Sequence, residues 1–221
     1  MNKRNTLIVG RFFFAGLTLV AIVSQFAVHL RHRFDPVNFF SYFTNLSNIF
    51  ASIVFLFGAV YLLRRRRMTP GEEVARGASV VAMVVVGIVY AALLRNEDLG
   101  TLQPWVNIVV HVVMPLAVLA DWLYEPPDST ITMRQVGYWL IYPLAYLVYT
   151  LVRGAIAGFY PYPFLNPDKA GGWGVVILYC IAIFWAFLLV SWLLISLGSA
   201  IKRRSAPQRV ERFAGPAAPA S

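Results

Sequence analysis

The chain has 221 residues, of which 59% are hydrophobic and only 13% charged, too little charge to cover a water-soluble domain of this size. Its apolar residues fall in long blocks and its mean hydropathy is +0.65, which excludes an ordinary soluble fold of amphipathic helices. The net charge of +9 does not mark a nucleic-acid partner, because Lys and Arg gather at the ends of the apolar blocks, where they set membrane topology.

The first block, residues 12–30, follows Lys3 and Arg4 and lacks a small-residue cleavage site, so it reads as a retained span and not as a signal peptide. The second, 40–63, is interrupted by Ser41, Thr44, Asn45, Ser47, Asn48 and Ser52. The third, 77–94, is short and rich in Val, and Arg76 and Arg95 bracket it. The fourth, 105–123, carries Asn107, His111 and Pro115. The fifth, 135–152, carries Tyr142, Pro143, Tyr146, Tyr149 and Thr150 and ends beside Arg153. A loop with three prolines and three aromatics at 160–167 leads into the sixth block, 173–197, which holds Cys180. Cys180 is the one cysteine, so no internal disulfide is expected.

Blocks of this length span a bilayer as helices, since open strands would leave backbone groups unpaired in lipid. The expected class is therefore all-α: a polytopic bundle of six transmembrane helices over residues 1–204, without an internal repeat. A Pro-, Ala- and Arg-rich stretch, 205–221, is expected to be a disordered cytoplasmic tail. Of the 19 Lys and Arg residues, 14 fall on the side that holds both termini and 5 on the other. The positive-inside rule then makes the first side cytoplasmic, in the cell's inner (plasma) membrane.

This orientation gives the polar residues a common depth. Thr44, Ser47 and Asn48 share a helix face, Asn107 and His111 stack one turn apart, and Tyr146, Thr150 and Arg153 form a stripe. Thr44 and His111 are expected roughly 5–10 Å below the outer surface, with Arg153 at the same level from the opposite direction. They define an outer polar pocket, opened by kinks at Pro115 and Pro143 and capped by the loop at 160–167. The half nearer the termini is expected to hold little that is comparable.

A hydroxyl, an imidazole and amides are the parts of nucleophilic acyl transfer. Thr44 could attack an ester carbonyl once His111 takes its proton, with Asn45, Asn48 or Asn107 donating to the oxyanion. Asp35, Glu97 and Asp98 lie in loops and Asp121 toward the cytoplasmic end, so the centre is a dyad without a carboxylate. His29 and His32 join His111 on the outer side, but no HExxH or Cys pair supports a metal, and no metal or cofactor is expected. The same residues also suit two other roles: a non-catalytic pocket for a small ligand, in a binding or transport protein, and plain hydrogen-bonded helix packing.

Three motifs carry a resemblance: Tyr42-Phe-Thr-Asn-Leu-Ser-Asn48, Trp105-Val-Asn-Ile-Val-Val-His111 followed by Pro115, and Tyr162-Pro-Phe-Leu165. Together they resemble bacterial six-span membrane proteins related to the androgen-induced and androgen-dependent membrane threonine hydrolases of animals. The resemblance implies a hydrolase of fatty acyl esters, with Thr44 as nucleophile and His111 as general base. The chain departs from the animal pattern in the spacing from His111 to its proline and in continuing the loop motif as Asn166-Pro167. The expected partners are membrane lipids and a lipid ester substrate, the latter held by Asn45, Asn48, Asn107, Tyr146, Thr150 and Arg153.

Overall fold

The computed structural model describes residues 2–205. Six helices are long and apolar enough to cross a membrane: α1 (Lys3–Arg31), α2 (Phe43–Leu63), α3 (Pro70–Leu94), α4 (Pro104–Tyr124), α5 (Met133–Ala157) and α6 (Trp173–Ser205). No strand occurs among the described residues. The tail expected over 205–221 lies, beyond Ser205, outside the described residues.

The helix ends follow local chemistry. Asn2 caps α1 by accepting from the Asn5 N–H, and α3 and α5 begin with reciprocal capping boxes, Thr69 with Glu72 and Thr132 with Gln135. α5 ends at Gly158, whose left-handed φ of 67° turns the chain into the loop before α6. The second block was expected to be helical from residue 40. Instead Asp35 caps a separate short helix, Pro36–Phe40, and α2 starts after a break at Ser41 and Tyr42.

α3 and α4 form the centre of the bundle, and α5 and α6 keep the most exposed faces. Met83, Val80 and Val81 of α3 pack with Met114, Val118 and Trp122 of α4 and with Trp139 of α5. Trp139 fits only because residue 77 is glycine, since a Cβ there would collide with the indole ring. Outward-facing Val20, Val23, Phe57, Ile141, Leu178 and Trp185 are exposed, as expected where the surrounding solvent is lipid.

The half nearer the termini departs from expectation. Arg11 of α1, Arg76 of α3 and Asp121 of α4 are all buried there. Arg11 Nε donates to Asp121 Oδ1 at 2.7 Å, and Arg76 donates to Asp121 Oδ2 at 2.7 Å. Arg11 also pairs with Glu125. α3 accordingly begins seven residues before the block at 77–94, because Arg76 is neutralised within the bundle and does not mark its edge.

Candidate functional site

Thr44 is the second residue of α2. The first N–H groups of a helix have no partner within it, and Tyr42 supplies no side-chain cap. Tyr162, from the loop between α5 and α6, fills the gap: its hydroxyl accepts from the Thr44 N–H at 3.1 Å and lies 3.2 Å from Thr44 Oγ1. The loop holds that phenol firmly. Its ring stacks on Phe164, with centroids 5.1 Å apart, and meets Tyr42 edge-on at 5.7 Å. Burial pushes the Tyr162 phenol up to about 12, so it remains a proton donor.

His111 sits in a π-helical turn of α4, Val109–Val113. Pro115 has no N–H to offer the His111 carbonyl, and the widened turn absorbs the fault. On one edge of the imidazole, Nδ1 lies 2.7 Å from Asn107 Oδ1 and 3.2 Å from the Asn107 carbonyl. A backbone carbonyl can only accept, so Nδ1 carries the proton and Nε2 is a bare acceptor. Nε2 lies 3.4 Å from Thr44 Oγ1. Asn107 Nδ2 donates to the Tyr90 hydroxyl at 2.9 Å, and the Tyr90 ring stacks on the imidazole at 4.3 Å.

The proton order is self-consistent. Tyr162 O–H donates to Thr44 Oγ1, Thr44 O–H to His111 Nε2, and His111 Nδ1–H to Asn107. Among the described residues no carboxylate hydrogen-bonds to this chain of groups.

The other expected binding residues divide. Asn48 adjoins Thr44, but its amide ties α2 to α4 by donating to the Thr44 and Val110 carbonyls at 2.9 and 3.1 Å. Asn45 donates to the Phe39 carbonyl at 2.8 Å and closes the break before α2. Asn107 lies across the imidazole from Thr44. None of the three amides is aimed at a carbonyl bound to Thr44. Tyr146 lines the cavity described below and donates to the Ser41 carbonyl at 2.8 Å. Thr150 is buried away from the cavity wall. Arg153 donates to Asn38 Oδ1 at 2.7 Å and covers the Phe159 ring, pinning the end of α5 to the short helix. His29 and His32 are engaged elsewhere: His29 contacts the Asp35 carbonyl at 2.8 Å and His32 stacks on Phe34.

Two residues of the site were not read from the sequence as members of it. Tyr90 lies within the short third apolar block, and Tyr162 stood only as part of a loop motif. Its sole signal was a hydroxyl-bearing aromatic in a proline-stiffened segment next to the pocket mouth.

A cavity runs from Thr44 and Tyr162 toward the middle of the bundle, between α3, α5 and α6. Its walls are almost wholly apolar, with Val85, Val86, Leu140, Leu144, Phe184 and Phe187 prominent. Leu144 and Phe184 also belong to the exposed apolar surface, so the cavity opens sideways where lipid would lie. Thr44 is where the hydrogen-bonded chain and the apolar cavity meet.

No protein-family model, no curated protein and no solved structure matches the chain.

Proposed function

We propose that this protein is a membrane-embedded hydrolase of fatty acyl esters, with Thr44 as nucleophile and His111 as general base. The proposed setting is the outer half of a bacterial plasma membrane, and the proposed kinship is with the androgen-induced and androgen-dependent membrane hydrolases. One observation carries the reading: Thr44 Oγ1 stands between a deprotonated imidazole nitrogen, 3.4 Å away, and an apolar cavity that opens to lipid. Catalytic hydrogen bonds are commonly long before substrate tightens them.

In the proposed reaction Thr44 Oγ1 attacks the ester carbonyl carbon while its proton passes to His111 Nε2. The carbonyl π pair moves to oxygen, then returns as the bond to the leaving alkoxide breaks, and His111 gives the alcohol its proton. Water repeats the sequence on the acyl-threonine, releasing a fatty acid and the original hydroxyl. The acyl chain occupies the apolar cavity, which it reaches from the bilayer.

The test is turnover of a panel of lipid esters, together with fluorophosphonate labelling, by purified protein in detergent or nanodiscs. Thr44→Ala and His111→Ala abolish both if the reading is right. Turnover or labelling unchanged in Thr44→Ala overturns it.

A further inference from the structure

The hydrolase reading leaves the developing oxyanion without a partner, because the three amides that could have served it are directed elsewhere. Asn45 is spent on the Phe39 carbonyl, both amide hydrogens of Asn48 go to backbone carbonyls, and Asn107 lies on the opposite edge of the imidazole. Resting on that reading, we infer that Tyr162 is a catalytic residue whose phenol O–H binds the oxyanion formed at Thr44.

The geometry is specific. The Tyr162 oxygen accepts the Thr44 N–H at 3.1 Å, which leaves its own proton directed at Thr44 Oγ1, 3.2 Å away. When Oγ1 bonds to the carbonyl carbon it becomes an ether-type oxygen, a weaker acceptor for this proton than the anionic oxygen that forms beside it. The negative oxygen on that carbon is one bond further out, within the arc a phenol O–H sweeps by rotating about its C–O bond. The donor therefore exchanges a neutral acceptor for an anionic one as the transition state forms. Such a change binds the transition state more strongly than the ground state. The phenol stays protonated throughout, because burial holds it neutral. No proton leaves Tyr162. It donates while the tetrahedral adduct lasts and returns to Oγ1 once water has cleared the acyl group.

The placement also sets the direction of approach. Tyr162 and Phe164 close over Thr44 from the loop side, and the cavity leads away from it on the other. An ester thus meets Oγ1 from the cavity with the loop docked, so the oxyanion donor is in position at each attack.

The test compares a matched pair of acyl esters, one with a C=O and one with a C=S carbonyl, because a thiono sulfur is a poor hydrogen-bond acceptor. Wild-type protein is expected to favour the oxo ester by about 10²-fold or more beyond the ratio set by hydroxide in solution. Tyr162→Phe is expected to lower kcat on the oxo ester by about 10²–10³-fold, with KM within about threefold and the thiono ester little changed. Equal losses on both esters would assign Tyr162 a structural role, and an unchanged kcat would remove it from the site; either overturns the inference while Thr44-dependent turnover stands. The wild-type ratio needs no variant: a value equal to that of hydroxide overturns the inference even if Tyr162→Phe fails to fold. If wild type cleaves neither ester and Thr44→Ala is indistinguishable from it, the hydrolase reading falls and this assignment falls with it.

Discussion

Asn107 Oδ1 lies 2.7 Å from His111 Nδ1, one helical turn earlier on the same helix, and this contact holds the imidazole with Nε2 free to accept. The Asn107 backbone carbonyl backs it up at 3.2 Å. Removing the side chain should loosen the ring without reversing its tautomer. On the proposed reaction Asn107→Ala therefore lowers kcat about five- to tenfold, the worth of one neutral hydrogen bond. Steady-state hydrolysis by the variant checks this, and a loss as complete as that of His111→Ala would show that the backbone carbonyl contributes nothing.

Leu140 and Phe187 stand at the inner end of the cavity, about two helical turns from Leu147 and Cys180 at its outer part. Leu140→Trp fills that end. Turnover of long-chain esters should then drop at least tenfold while short-chain esters are cleaved as before. An acyl-length series measured on both proteins decides it, and parallel profiles would place the acyl chain elsewhere.

Asp121 compensates two buried guanidinium groups at once. Asp121→Ala strands Arg76 and leaves Arg11 to Glu125 alone, and should cost about 3–5 kcal/mol of stability, read as the shift in a denaturant- or heat-induced unfolding midpoint in detergent. Replacing Arg11, Arg76 and Asp121 together by Leu should recover most of that loss, since an apolar cluster of similar volume has no charge to desolvate.

Gly154 faces the Tyr160 ring so closely that any Cβ would overlap it. Gly154→Ala must push the loop between α5 and α6 away from α5, at a cost of about 1–3 kcal/mol. Because the loop carries Tyr162, limited proteolysis near residues 158–162 should quicken and ester turnover should fall together. Faster cleavage with full turnover would uncouple the loop from the site.

The phenol of Tyr162 ordinarily titrates at 10.0 and is pushed up to about 12 in the folded chain. Between those values the folded state holds a proton that the unfolded chain has released, so stability falls as pH rises. The contribution is intact below about pH 10 and is lost through about pH 12. The gap in melting temperature between wild type and Tyr162→Phe should therefore narrow across that interval. A gap that is constant with pH would mean the phenol is not held neutral by burial.

The six spans were legible because lipid demands long apolar runs, and each of the six helices carries one long and apolar enough to cross. The start of α3 was not, since an arginine beside an apolar block reads as its boundary until a buried carboxylate is found for it. Thr44 and His111 could be matched by depth, which topology supplies for whole helices. Tyr162 could not: its position depends on how a loop folds back over 118 residues of chain to cap a helix start. Arg153 shows the same limit from the other direction, since its place at the end of α5 could be read but its guanidinium leads to Asn38.

The ion cluster has a consequence for biosynthesis. Arg11 and Asp121 are 110 residues apart, so at ribosomal speeds the arginine is made roughly 5–20 s before its carboxylate. Over that interval α1 holds an unneutralised charge close to the terminal-side interface, where a long side chain can still reach water. The ion cluster can close only when the fourth helix has joined the first, so this one lock on α1 is set late in translation.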